Sequence, residues 1–296
     1  MNWRHRKDHL AGKSMLLAIA FANSIAFLIA LGLFIKSRPI LVKESILHLL
    51  FSSSWAPSKG DFGFFPFIVG TIEVTATAMV LTLPVCLLSA IYLSEYAHRT
   101  IRNLARLVID IMAGIPSVIY GLWGIIIIVP FVRSLGRFLG YSTTGYSLLA
   151  GGIILAMMVS PIIISVSTEV LRAVPMDARE AALALGATRW EAVKHVLLRS
   201  ARRGILSAIV LGFTRAFGET IAVLMIVGNV PKVPRSIFDP AYPLPALLAN
   251  NYGEMMSIPL YESALLLSAF ILLLVVSGFN VLAHVALLRT ERGAES

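Results

Sequence analysis

The stretch DAREAALALGATRWEAVKHVLLRSARRGILSAIVLGFTRAFGETIA, Asp177 to Ala222, decides how this chain is organised. Two short polar pieces sit between a long apolar run that ends just before them and another that begins within them. Asp177 with Glu180, and Thr188 with Glu191, both have the spacing of a capping box, in which side chain and third residue satisfy each other's orphan backbone donors. Gly186 stands between them as a left-handed stop. The spacing therefore predicts a helix from Ala178 to Leu185, a turn at Gly186 and a second helix from Arg189 to about Arg199, standing outside the membrane. On the first helix Ala181, Ala182 and Leu185 form a small apolar face that a single elbow cannot bury against itself, so a docking surface is expected.

Working outward, the composition excludes a soluble domain. Of 296 residues 57% are hydrophobic and only 14% charged, with a mean hydropathy of +0.83. Such a chain is a polytopic, all-α membrane protein. The net charge of +9 lies in short basic segments beside apolar runs, where it sets membrane orientation and does not indicate nucleic acid. The lone Cys86 sits in an apolar run, which leaves no disulfide framework and no thiolate cluster, so redox chemistry is excluded as a function.

A helix needs about 20 apolar residues to span a hydrocarbon core. Six segments qualify: 15–35, 66–93, 107–131, 148–170, 205–228 and 263–287. They divide the chain into a basic leader (1–14), a transmembrane domain (15–288) and a tail (289–296). Loops 36–65, 132–147 and 229–262 then face one side, and the loop of 175–203 carries the elbow on the other. With the N-terminus inside, 16 Lys and Arg fall on the inner side and 8 on the outer, which predicts both termini in the cytoplasm. The leader resembles a signal peptide, but the apolar run behind it is long and lacks a small-residue cleavage site, so an uncleaved first span is expected. Pro84, Pro116 and Pro161 fall inside spans and should bend or break them, either to gate a path or simply to aid packing.

One cation lies deep. Arg215 is ten residues into the fifth span, about 15 Å from its start. Burying a guanidinium there costs about 2.5–3.5 kcal/mol unless it faces protein or water. Glu219, four residues on, is placed to compensate it on the same helix face, and Glu73 on the second span should reach a similar depth to Glu219. A contact for an anion is one reading, since guanidinium gives paired hydrogen bonds to phosphate oxygens; a structural ion pair is the other. Tyr120, Thr214, Thr220 and Asn229 are polar enough to line such a path or to satisfy themselves on a neighbouring helix. Asp110 reads as a partner for Arg106 one turn away.

The elbow resembles the EAA loop of binding-protein-dependent ABC importer permeases. Glu180, Ala181, Ala182 and Gly186 match in register, as do Val196 and Leu198, while Arg199 stands where the family has proline, implying a less kinked exit. By that resemblance Glu180, Ala181, Ala182, Gly186, Thr188 and Arg189 belong to a coupling helix that fits a cleft in an ATP-binding subunit, and the fold is a type I ABC importer permease. AGIPSVIYGLWG (Ala113 to Gly124), FTRAFGETIAVLMIVGN (Phe213 to Asn229) and SIFDPAYPLPALLANNYGE (Ser236 to Glu254) resemble the permeases of phosphate-specific Pst importers, nearer the PstC type than the PstA type. The resemblance implies a second, PstA-like permease, two PstB-like ATPases that hold the ATP and magnesium, and a periplasmic PstS-like phosphate-binding protein. It also implies that Arg215 and Glu219, in an R-A-x-G-E element, are a functional charged pair.

Gly12, Lys13 and Ser14 mimic the end of a P-loop, but Lys7 replaces its leading glycine, so no ATP site is expected in this chain. His5 and His9 have helical metal spacing in a frayed tail, a poor site, and no metal is expected. No nucleophile, base and orienter stand together, so enzymatic chemistry is unsupported. Transport of another oxyanion such as molybdate or sulfate, and an ion-coupled secondary transporter, are the competing functions. In the outer loops Ile40 to Trp55 reads as a short amphipathic piece, and a short helix is expected from Ala246 to Met256.

Overall fold

A computed structural model describes residues 3–253 and 258–292. Hydrocarbon offers no water to backbone N–H and C=O groups, so apolar runs close their own hydrogen bonds as helices. In chain order these are α1 (Trp3–Lys43), α2 (Ile46–Phe51), α3 (Phe65–Ile91), α4 (Arg99–Gly114), α5 (Ser117–Trp123), α6 (Val129–Phe138), α7 (Leu148–Arg172), α8 (Met176–Ala184), α9 (Arg189–Glu191), α10 (Leu198–Phe217), α11 (Ile221–Ile226), α12 (Leu244–Asn251) and α13 (Pro259–Arg292). A two-stranded antiparallel hairpin, β1 (Trp55–Ala56) and β2 (Asp61–Phe62), pairs Trp55 with Phe62. Among the described residues five helical runs are long and apolar enough to cross a membrane: Ala11–Lys43, Phe65–Tyr96, Ser117–Phe138, Leu148–Arg172 and Leu260–Val281.

At the centre stands α7, packed on α3 and α10. Its start is capped by the Ser147 hydroxyl, which accepts the Ala150 N–H at 3.2 Å. Gly152 lets α3 come close, because a Cβ there would meet Thr77 Cγ2 at 2.6 Å. Small residues at such crossings matter in lipid, where packing rather than hydrophobic exclusion joins helices. The outward faces stay apolar, as at Val80, Val85 and Leu88 of α3, which is surface for acyl chains. At the end away from α8, Trp55, Phe62, Phe64, Phe67, Tyr242 and Tyr261 build an aromatic plug, with Trp55 and Phe67 ring centres 4.7 Å apart. Helix α1 stands to one side on α13, touching the plug only through its last turns, where Ile40 is buried.

The three prolines act differently. Pro161 leaves the Met157 carbonyl without its helical donor, and the Ser160 hydroxyl supplies one at 2.9 Å, so α7 runs through. Pro84 is likewise carried inside α3. Pro116 breaks the chain between α4 and α5; the freed Met112 carbonyl accepts from the Tyr120 hydroxyl at 2.9 Å. The expected third span, 107–131, is therefore two helices, and its membrane-crossing part continues to Phe138 through a π turn at Gly124–Ile128.

The fifth expected span, 205–228, is also broken. Helix α10 ends at Phe217, the chain turns at Gly218 to Thr220, and α11 follows. A second correction concerns the elbow: Asp177 and Glu180 form no capping box, because α8 starts at Met176, two residues earlier than expected, after Pro175 and without a side-chain cap. The Thr188 box does form, with the Thr188 N–H donating to Glu191 Oε2 at 2.8 Å and the Glu191 N–H to the Thr188 hydroxyl at 3.3 Å. Gly186 takes φ 87°, as a left-handed stop requires. Arg106 and Asp110 are exposed and make no ion pair with each other. The amphipathic piece expected at 40–55 is α2, reached through an α1 that continues past Pro39 to Lys43. The short helix expected at 246–256 spans Leu244–Asn251, and residues 254–257 lie outside the described residues.

Thr188→Ala should weaken the start of the second elbow helix by about 1 kcal/mol, read as faster amide exchange over residues 189–192. The Thr188 hydrogen bonds hold the Glu191 carboxyl below its ordinary range. A lowered folded-state value means the support is complete above the ordinary carboxylate pKa, about 4.3, and is lost as pH falls through the folded value, so exchange in wild type should approach the variant's in strong acid. Tyr120→Phe leaves the Met112 carbonyl with only the long 3.4 Å bond from the Ile115 N–H and should lower stability by about 1 kcal/mol in thermal unfolding of the detergent-purified protein.

Candidate functional site

The elbow is mounted rigidly and presents a free surface. On the mounted side Leu171, Val174, Val193, Leu197 and Ala201 are buried with Ala90 and Ile91 from the end of α3, and Ala178 packs on them. Arg179 of α8 ties the elbow to two spans at once: its guanidinium lies 3.1 Å from Glu95 Oε1 in the π turn after α3 and donates to the Leu171 carbonyl of α7 at 2.7 Å. The same turn is held by Arg102, which donates to the Leu93 and Ala97 carbonyls, each at 3.1 Å. On the open side Glu180, Ala181, Gly186, Thr188 and Arg189 are exposed and Ala182 is half-buried. Met176, Leu183, Leu185 and Trp190 add large apolar surface, with Leu185 90% exposed.

From Arg189 the helix does not stop at Arg199. It passes through a π turn at Ala192–Leu197 into α10 and remains helical to Phe217, with Arg199 inside the run. At 1.5 Å per residue the rod is roughly 42 Å long. Arg215 sits on its last turn.

The arrangement around Arg215 differs from an i, i+4 pair. Because α10 ends at Phe217, Glu219 lies past the helix and its Oε1 accepts the Ala222 N–H at 3.3 Å, supporting the start of α11. Arg215 itself is exposed and, among the described residues, makes no ion pair. Thr214 faces α13, with its hydroxyl 2.8 Å from Asn280 Oδ1 and 2.9 Å from the Val210 carbonyl, beside the stacked rings of Phe213 and Phe279. It ties helices together there. Thr220 donates to the Gly218 carbonyl inside the break at 3.3 Å, and Asn229, at φ 52°, donates to the Leu224 carbonyl at 2.8 Å.

Glu73 is near neither Arg215 nor Glu219 in its contacts. Its carboxylate lines a cavity of about 290 Å³ at the opposite end from the elbow, with Thr77, Leu148, Arg235 and Ser236, and its Oε2 is buried without a hydrogen-bond partner. Among the described residues Glu44, His48 and Asp61 bring donor atoms within 4.8 Å of one another, and a 2.8 Å hydrogen bond joins the first two. Gly12, Lys13 and Ser14 are inside α1 and form no loop. The side chains of His5 and His9 lie outside the described residues.

Sequence reasoning missed Glu95, Asn280 and the break at Gly218. The first two act across long sequence separations and carry no local signal. The break does have one, a glycine followed by Glu219 and Thr220, the composition of a helix stop and restart.

Comparison with known proteins agrees with this architecture. The profile of the family described as binding-protein-dependent transport system inner membrane component matches residues 83–292. The chain is 36% identical over 252 residues to the probable ABC transporter permease protein YqgH of Bacillus subtilis, covering 83% of this chain and 80% of the relative. It is 33% identical over 302 residues to the phosphate transport system permease protein PstC of Xylella fastidiosa, covering 97% and 92%. Among solved structures, a permease chain of a bacterial alginate ABC transporter, in complex with an alginate pentasaccharide-bound periplasmic protein, superposes with a TM-score of 0.66 over 95% of each chain at 13% identity. A bundle centred on α7, a broken fifth span and an elbow between the fourth and fifth spans, together with these matches, make the chain a member of the binding-protein-dependent transport system inner membrane component family, the permeases of ABC importers.

Proposed function

We propose that this chain is one of two permease subunits of an ATP-driven importer that passes inorganic phosphate across the bacterial inner membrane. The observation that carries the reading is 33% identity spread over 97% of the chain to a permease named for phosphate transport. The partners are a PstA-like permease, two PstB-like ATPases and a periplasmic PstS-like phosphate-binding protein. The chain is not an enzyme and holds no cofactor; ATP and magnesium belong to the ATPases. Both termini and the elbow face the cytoplasm, in keeping with the bias of Lys and Arg to that side.

The work of each part follows from its geometry. Glu180, Ala181, Ala182, Gly186, Thr188 and Arg189, with the apolar surface of Leu185 and Trp190, enter a cleft of the ATPase. Closure of that cleft pushes the elbow, and Arg179 and Glu95 carry the push to α3 and α7 while the rod carries it to Arg215. There a planar guanidinium with no ion pair offers paired hydrogen bonds to phosphate oxygens. Rotation at the Gly218–Thr220 break brings Glu219 to Arg215 in the empty state, which keeps the anion from being trapped. Thr214 holds this segment to α13, and Glu73 marks the outer part of the path.

Reconstituted with its partners in liposomes, the importer should take up radiolabelled phosphate only with ATP and the binding protein. Uptake without ATP would turn the reading to a secondary transporter, and preference for sulfate or molybdate would turn it to another oxyanion. Arg215→Gln should lower maximal uptake at least tenfold, about 1.4 kcal/mol of lost stabilisation, and Arg215→Lys less. Normal flux with Gln would remove Arg215 from the mechanism. Leu185→Asp changes a side chain that touches little of this chain, so thermal stability should hold while copurification with the ATPase and its stimulation by loaded binding protein fall severalfold.

A further inference from the structure

The outer mouth of the bundle carries two cations that the path through Arg215 does not use. Lys232 and Arg235 lie on the loop between α11 and α12, are exposed, and make no ion pair among the described residues. They line a cavity of about 710 Å³ with Ser53, Pro234 and Asp239. Arg235 and Pro234 also line the smaller cavity over Glu73, so the two spaces adjoin at Arg235. The loop is pre-formed. Its carbonyls at Asp239 and Ile237 accept the Leu148 and Leu149 N–H groups at 2.9 and 2.8 Å, Phe238 accepts the Thr143 hydroxyl at 3.0 Å, and the Ala241 N–H donates to the Val227 carbonyl at 2.9 Å. The N–H groups of Arg235 and Ser236 converge as an anion nest, but Asp239 Oδ2 fills it at 2.9 and 3.0 Å. That internal carboxylate holds the loop and leaves recognition to the two side chains.

We infer that Lys232 and Arg235 form an outer vestibule that draws in a small tetrahedral oxyanion and holds it weakly before it moves inward. The inference deepens the phosphate-import reading and rests on it for the identity of the anion. Glu73, with a carboxylate oxygen lacking any donor on the floor of the adjoining cavity, opposes tight retention. Lys232 and Arg235 outnumber the single carboxylate of that cavity, Asp239, whose Oδ2 already accepts two N–H groups of the loop, so the lining favours an anion about to meet a path only one cation deep.

The test uses the intact importer without its binding protein and a Ser53→Cys reporter in this chain. Cys86 is 0% exposed, so wild type serves as the blank. An anionic methanethiosulfonate should label Cys at position 53 about tenfold faster than a cationic one, each normalised to a free thiol. Inorganic phosphate should slow the anionic reagent more than chloride of equal ionic strength, and the Lys232→Gln, Arg235→Gln pair should remove both effects. Equal normalised rates, or no protection by phosphate, would overturn the vestibule. Labelling needs no turnover, so protection in an importer that fails to move phosphate would count against the transport reading alone, and uptake by an importer that shows no protection would count against the vestibule alone.

Discussion

Everything in this molecule depends on one uninterrupted helix, from Arg189 outside the spans to Phe217 beside the break. A helix resists bending because each turn is closed by its own hydrogen bonds, so movement at one end arrives at the other as translation or rotation, not as local melting. Its near end is anchored by the Arg179 contacts and a buried apolar cluster. Its far end is anchored by Thr214, Asn280 and the Phe213–Phe279 stack. Between those anchors it packs on the central helix α7. Held at both ends, this one rod begins in the exposed elbow and carries Arg215 on its last turn.

The second constraint is that lipid supplies no hydrogen bonds. Three places where the helical ladder is interrupted inside the bundle have a named substitute: the Tyr120 hydroxyl at the Pro116 break, the Ser160 hydroxyl at Pro161, the Glu219 carboxylate at the start of α11. These substitutes make the breaks stable, and stable breaks allow two helices to meet at an angle beside a polar side chain. Glu219 shows the cost of reading them too simply. As part of a continuous helix it would face Arg215; beyond a helix end it becomes a backbone acceptor, and Arg215 makes no ion pair among the described residues.

Much of the fold is legible without coordinates because the physics is local. Runs of 20 or more apolar residues become helices, Thr188 with Glu191 becomes a capping box, Gly186 becomes a left-handed stop, and arginine at 199 lets a helix continue. The failures share a cause. Asp177 has the right partner three residues on, yet Pro175 fixes an earlier start and the box never forms. The spans at 107–131 and 205–228 have the right hydropathy, but hydropathy averages over a window and does not register a break one to three residues wide.

By itself the sequence determined the class of the molecule, the location of its elbow and the presence of one arginine within an apolar run, since each follows from composition, spacing or charge along the chain. Only the tertiary structure decided which groups meet: Arg179 with Glu95, Thr214 with Asn280, Glu73 with the cavity of Arg235 and not with Arg215. Those partners lie on different helices, and their encounter is set by how small residues such as Gly152 let the rods approach, a geometry that no periodicity along a single strand of sequence encodes.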